Sequence, residues 1–337
     1  MSTNYYFNLD NYIEQNKKIY GNIVHITSQE VKGLSRASFV YLELKSQSSL
    51  SPLWHTNANK IGYCNSGKFL ITIRSPEKKD TFYLEKGDVF FVPMGFIHQI
   101  TNIGSEAGTI LFSFNCDLPK TMELTKSVYS LNTSVFDNVF YSKGKPILDH
   151  LKSAKTMENI TFVNDIPQNG SNTSSYKFSL ESSPKIIEYK SGYLQEAVKN
   201  DFSILEGLSI LRFSVEPGCA VEPHWHPNAS ELIFVLEGHS KISMLEPEGD
   251  VTEFEVRKNQ GSFVPASNFH NIENIGSDSL EVIAFFNHEN PNYIGLGEAV
   301  YSFPAQLLSS YFNVDPEIFT NIHFTEKPLV IVPADLN

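Results

Sequence analysis

Apolar residues in this chain come in short runs closed by turn-forming clusters. From residue 21 to 115 the runs are VYLEL, KFLITIRS, TFYLE, DVFFVP and TILFSFN, separated by stretches such as NSG, SPEKKD and EKGD. Short β-branched and aromatic runs punctuated by Gly, Pro, Asn and Asp predict strands and tight turns. The later part repeats the plan with ILRFSV, ELIFVLEG, KISMLEP, TEFEV, GSFVP and LEVIAFF. A helical period shows in only a few places. These are a partly helical lead-in at Leu9 to Lys18, and a segment over 122–141 with Leu124, Val128, Leu131, Val135 and Phe136 on one face. The third is a closing helix over 304–320 that starts at Pro304, a residue suited to a first helical turn. The pattern predicts an all-β sandwich or barrel with short helices closing it.

The plan is one unit written twice. Gly21 recurs as Gly192, His55 as His226 and Gly67 as Gly238, a constant offset of 171. After a one-residue insertion the offset is 172, relating Pro93 to Pro265, His98 to His270, Asn102 to Asn274 and Tyr129 to Tyr301. Self-similarity at a fixed period reads as tandem structural units. The polar stretch NDIPQNGSNTSS, residues 164–175, reads as a linker or a loop near the boundary, and gives domains of 1–165 and 166–337.

The chemistry concentrates in the second copy, in GCAVEPHWHPNASELIFVLEG (218–238) and GSFVPASNFHNIEN (261–274). His224 and His226 are two apart on a predicted strand, so both imidazoles face one side and Trp225 the other. With Glu231 and His270 they make a set of three imidazoles and one carboxylate, which suits a first-row divalent metal and leaves room for water or a substrate.

The spacing Gly-x5-His-x-His-x4-Glu-x6-Gly, then Gly-x3-Pro-x4-His-x3-Asn, resembles the two cupin motifs, which lie on a double-sheet jelly roll. The fold implied is two tandem jelly-roll cupin domains, a bicupin. The closer resemblance is to bacterial oxalate decarboxylases, through SVEPGCAVEPHWHPNASE and the downstream NPNYIGLGEAVYSFPAQLLSSYF. It implies a metal-dependent lyase or oxidoreductase acting on a small carboxylic acid, with one divalent ion per chain, Mn first and Fe or Zn as alternatives. The parent reaction splits oxalate into formate and carbon dioxide. Two departures leave the substrate open. The family's Arg three residues before the first metal His is Val221 here, and the matching segment of the first copy, SSLSPLWH, also lacks it. An apolar side chain does not replace a bidentate guanidinium. The family's lid Glu after the first cupin has no counterpart in SFNCDLPKTMEL, although Glu123 lies nearby. The alternative function is a non-catalytic metal-bearing cupin that binds or stores a small ligand.

No catalytic residue is assigned from sequence. His288 and Glu289, in the loop NHENPN, stand where a lid would lie and are candidates for proton transfer, against the plainer reading of a solvated loop. Glu222 falls two residues before His224. Arg212 is expected in an ion pair and Asn274 in shaping a turn. In the first copy, His224, His226, Glu231 and His270 align with Leu53, His55, Lys60 and His98. Two imidazoles beside an ammonium bind a cation poorly, so this copy is expected to hold no metal. A pocket for an anionic group on Lys60, His55 and His98 is the other reading, set against Lys60 reaching out to solvent.

Composition narrows the class. The 337 residues are 41% hydrophobic and 19% charged, enough for two cores. A formal charge of −12 without any basic run argues against nucleic acid. Cys64, Cys116 and Cys219 form no disulfide framework and are expected as reduced thiols. The N-terminus lacks a signal-peptide pattern and no apolar stretch is long enough to span a bilayer, so the expectation is a cytoplasmic protein with a small-molecule partner and no membrane partner. Self-association is expected only by resemblance, since no interface is legible.

Overall fold

The computed structural model describes residues 4–130, 139, 158–166, 169–320 and 330–333. The chain forms two compact units. One gathers residues 12–25 and 38–179, and the other residues 1–11, 26–37 and 180–337. Each is a jelly roll of two antiparallel sheets.

In the first unit one sheet orders the strands Lys177–Ser179, Asp88–Val92, Lys60–Ser66, Gly108–Phe114, Ser38–Leu44 and Gly21–Ile26. The other runs Thr121–Glu123, Ser48–His55, Ile97–Asn102, Lys68–Arg74, Lys79–Glu85, with Ile160–Phe162 also against Ser48–His55. Phe39, Phe69, Phe82, Phe90, Phe91, Phe112 and Phe114 are fully buried. Each contributes about 1.5–3 kcal/mol of apolar burial. The stretch 164–175 is tied to this unit through the Ser171 N–H donated to the Thr81 carbonyl and the Tyr83 N–H donated to the Ser171 carbonyl, both at 2.9 Å.

The second unit pairs a seven-stranded sheet with a six-stranded one. The first orders Tyr6–Asn8, Gln260–Val264, Glu231–Glu237, Leu280–Phe286, Ser209–Val215, Gly192–Ala197 and Ile187–Tyr189. The second orders Val251–Arg257, His239–Leu245, His270–Asn274, Cys219–Trp225 and Ile294–Gly295, with Ile331–Pro333 also against Cys219–Trp225. The core between them includes Phe213, Val235, Ile242, Met244, Val282 and Phe286.

The repeat is visible in the turns. Gly67 and Gly238 both adopt left-handed φ, +91° and +94°. A Cβ at either would approach a backbone Cα to 2.7 or 2.9 Å, so both positions need glycine. Asn102 and Asn274 each reach two backbone carbonyls through Nδ2, at 2.7–2.9 Å, and accept the N–H of the glycine two residues on. Asn274 thus shapes its turn, as expected.

The helices agree with expectation at the lead-in and differ at the closing segment. The lead-in is a short α-helix, Asp10–Ile13, continued by the 3-10 turn Glu14–Asn16. The segment over 122–141 begins as strand Thr121–Glu123 and helix Leu124–Ser130, and nearly all of its remainder lies outside the described residues. The closing segment 304–320 holds two short helices, Ala305–Phe312 with Pro304 at its N-cap and Glu317–Thr320, preceded by a further one, Leu296–Tyr301. Asn313, at φ +54°, ends the middle helix, and Pro316 disfavours helical backbone in the residue before it. All three cysteines are free thiols. Among the described residues no helix is long and apolar enough to cross a membrane.

Candidate metal centre

The strand carrying the first imidazoles contains a proline. In Cys219–Trp225 the register against His270–Asn274 shifts between Val221 and His224, which brackets Pro223. A residue without an N–H sits where the ladder is interrupted. Beyond the shift His224 stands directly opposite His270. His226 follows just after the strand. Glu231 opens strand Glu231–Glu237 in the facing sheet, paired with Phe286 and Val264. One sheet thus delivers His224 and His270, the loop just after its strand His226, the facing sheet a carboxylate, and all four are buried.

The ligand atoms of His224, His226, Glu231 and His270 lie within 4.8 Å of one another. Glu231 Oε2 is 3.0 Å from His270 Nε2 and 3.4 Å from His226 Nε2. Each imidazole turns Nδ1 to a backbone carbonyl: His224 to Glu222 at 2.7 Å, His226 to Asn292 at 2.8 Å and His270 to Asn268 at 2.9 Å. A carbonyl oxygen only accepts, so Nδ1 carries the proton and donates it. That fixes the tautomer and leaves the Nε2 lone pair for the centre, as in metal-ligating histidines. Burial, then the neighbouring His270 and His226, holds His224 well below the ordinary histidine range. Burial alone would raise Glu231, but hydrogen bonding and charge from His226 and His270 outweigh it and hold the carboxylate below its ordinary range.

This donor set fits a divalent cation. Nε2 atoms and a carboxylate converge in a buried space, with no Lys or Arg among them. A divalent cation there pairs the buried carboxylate and takes the Nε2 lone pairs, displacing any proton they share with Glu231.

A cavity of about 40 Å³ adjoins the centre. It is walled by Leu194, Leu211, Phe213, Val221, Phe286 and Ile331, among others. Among the described residues, apart from His224, His226 and Glu231, Tyr293 is its one polar lining residue. The Tyr293 ring stacks on His224 at 4.8 Å, and its hydroxyl donates to Glu222 Oε1 at 2.9 Å. Burial, then Glu222, raises the Tyr293 hydroxyl, so it stays protonated. Burial also raises Glu222, against the Tyr293 hydrogen bond.

The other sequence candidates are held elsewhere. His288 Nδ1 accepts the Asn290 N–H at 3.0 Å, and Glu289 Oε2 accepts the Gly207 N–H at 2.8 Å. Neither lines the cavity; from that same loop region it is Tyr293 and the Asn292 carbonyl that reach the centre. Arg212 pairs with Glu281 at 3.2 Å and Glu181 at 3.6 Å, as expected of an ion-pair residue. Tyr293 was not legible in sequence, because its run NPNYIGLG carries neither a ligand spacing nor an apolar period. Of the wall residues only Val221 was singled out in sequence, and the others read as core.

In the first unit the register reproduces the arrangement with different chemistry. Leu53 stands opposite His98, as His224 stands opposite His270. Lys60 is 3% exposed and does not reach solvent; its Nζ donates to His98 Nε2 at 3.0 Å and lies 3.9 Å from the centroid of the Phe112 ring. His55 meets Thr121 Oγ1 through Nδ1 at 3.1 Å. Burial pulls Lys60 down to about 7 and, with Lys60 adding to the effect, pushes His55 down to about 2. An amine tethered to the fold therefore stands where the second unit gathers lone pairs for a cation.

A family model described as Cupin matches residues 7–147 and 178–319, once per copy. The chain belongs to the cupin family. This cupin is 24% identical over 323 residues to oxalate decarboxylase OxdC of Bacillus subtilis (strain 168), covering 91% of this chain and 81% of that one. It is 29% identical over 126 residues to germin-like protein subfamily 2 member 1 of Arabidopsis thaliana, covering 36% of this chain and 58% of that one. The B. subtilis oxalate decarboxylase structure at pH 4.6 superposes with a TM-score of 0.87 at 19% identity, covering 99% of this cupin and 89% of that chain. A structure of the same enzyme from work on its Mn(II) centres gives a TM-score of 0.86 at 19% identity, with the same coverage of both chains. These superpositions show the bicupin fold, with two jelly rolls in one chain.

Proposed function

We propose that this cupin is a metal-dependent lyase or oxidoreductase of the oxalate decarboxylase type, acting on a small carboxylic acid in its second unit. The centre is His224, His226, Glu231 and His270, and the ion is Mn(II), the metal of the B. subtilis relative. The division of labour follows the two copies, with residues 166–337 carrying the centre and 1–165 a degenerate one. The carrying observation is that four buried donors converge with each Nδ1 proton committed to a carbonyl.

The bound ion supplies a Lewis acid for a carboxylate oxygen. The remaining work falls to the chain. Three neutral imidazoles present lone pairs without adding charge, and Glu231 lowers the net charge of the centre. The apolar wall excludes water, which strengthens every electrostatic contact inside. Tyr293, held by Glu222, fixes the ring face of His224.

The test is elemental analysis of the purified chain together with turnover. One Mn per chain, and formate or another decarboxylated or oxidised product from a small acid, is expected. Absence of product from any small carboxylic acid with Mn loaded, between acid and neutral pH, would sink the enzymatic reading. The second reading, a metal-bearing binding protein, is favoured by the scarcity of polar groups at the cavity. Acid-dependent thermal stabilisation without product would establish it. The reading keeps a small-molecule partner and a cytoplasmic setting, and needs neither nucleic acid nor membrane.

A further inference from the structure

From the wall of the cavity we infer that the acid this centre takes is a monocarboxylate with an apolar substituent, and that a dicarboxylate is discriminated against. The inference rests on the proposed function and concerns which acid fits. Charge decides it. A divalent ion with Glu231 carries a net charge of +1 in a buried site, because the three imidazoles are neutral donors. One carboxylate brings the sum to zero. A second carboxylate brings it to −1, and that charge needs a cation or several N–H or O–H donors close by.

Among the described residues the wall offers neither. Val221, Leu194, Leu211, Phe213, Ile272, Phe286, Val330 and Ile331 present hydrocarbon only, and among the described lining residues there is no Lys or Arg. Arg212, next in sequence to two wall residues, does not line the cavity and is engaged with Glu281 and Glu181. Tyr293 has a single hydroxyl proton, and it is donated to Glu222. The far end of the acid therefore meets methyl and ring surface, which suits a hydrogen or a short alkyl group. A buried, unpaired charge is the arrangement proteins exclude most strongly. The volume, about 40 Å³, limits that group to small size.

Val221 is the position through which this choice can be reversed. It lines the cavity three residues before His224 and is 5% exposed. A guanidinium there would supply a bidentate partner for a second carboxylate.

The experiment is calorimetric titration of the Mn-loaded full chain with acetate, propanoate and oxalate, and of Val221→Arg with the same three. Propanoate is expected to bind at least about tenfold tighter than oxalate, a 1.4 kcal/mol difference. The order reverses in Val221→Arg, with oxalate gaining at least as much. Oxalate binding the unaltered chain as tightly as propanoate would overturn the inference while leaving the proposed function standing. A Val221→Arg protein that folds and binds metal, yet keeps the original order, would overturn it too. If none of the three acids binds, the proposed function itself fails and the inference with it. Should Val221→Arg not fold, the order measured on the unaltered chain decides alone.

Discussion

Each candidate ligand has a distinct chemistry, so substitutions should separate. Glu231 is the one anion of the centre. Glu231→Gln keeps shape and hydrogen-bonding capacity but removes the charge, and Mn affinity is expected to fall by about 100-fold or more. Metal titration followed by electron paramagnetic resonance reads this directly, and unchanged affinity would mean the carboxylate is no ligand. Lys60 is the counterpart in the first unit. The unfolded chain holds its proton up to about 10.5, whereas burial releases it in the folded chain near 7. Folding therefore gains stability as pH rises from about 7 to 10.5, because the unfolded state binds more protons there. Lys60→Met should flatten that part of the stability–pH curve, and parallel curves for the two proteins in denaturant titrations would contradict the burial argument. The register of Leu53 against His98 also predicts a gain of function. Leu53→His with Lys60→Glu rebuilds three imidazoles and a carboxylate, and bound metal should rise from one ion per chain to two by elemental analysis.

Two strands that carry the site run against local strand propensity, although the His224 segment was expected as a strand. Ser48–His55 is serine-rich, Cys219–Trp225 contains a glutamate and a proline, and Pro52 and Pro223 each fall at a register shift. Local propensity disfavours both segments, and cross-strand pairing with Ile97–Asn102 and His270–Asn274 overrides it. The closing helix fails for a related reason. Its apolar pattern was continuous enough to suggest one element, but a left-handed Asn313 and the constraint of Pro316 cut it. Strand Ile331–Pro333 was invisible as a site element, yet it lies along Cys219–Trp225 and walls the cavity through Ile331. Ile331 is 2% exposed, so Ile331→Ala should cost about 2–5 kcal/mol in unfolding free energy. A loss below 0.5 kcal/mol would mean the strand is not packed as described.

At the scale of the whole molecule, a duplicated chain has kept one centre and replaced the other with an amine. Metal that binds only the folded second unit should stabilise that unit alone, by about 2.7 kcal/mol at a free ion concentration 100 times the dissociation constant. Hydrogen exchange is the measurement. Mn should raise protection in strands such as Glu231–Glu237 and His270–Asn274 while leaving Lys60–Ser66 and Ile97–Asn102 unchanged. Equal protection of both sets would place an ion in each unit.

Sequence alone determined the duplication, the all-β class and the four candidate ligands that the fold gathers, because each leaves a mark at fixed spacing. Strands alternate with period two, an internal copy repeats at a constant offset, and the imidazoles and carboxylate stand at a recurring motif spacing, even though His226 falls just past its strand. Only the tertiary structure decided what surrounds those ligands. The carbonyls of Glu222 and Asn268 lie only two residues before the imidazoles they fix, but the Asn292 carbonyl on His226, the Tyr293 ring on His224, and the hydrocarbon wall from Leu194 to Ile331 reach the centre from distant stretches of chain. Backbone carbonyls have no sequence signature, and a wall residue is indistinguishable from core until the sheets close around it. Lys60 shows the same division. Its place in the ligand pattern was readable, but its burial against His98 and Phe112, and hence its lowered basicity, came from packing.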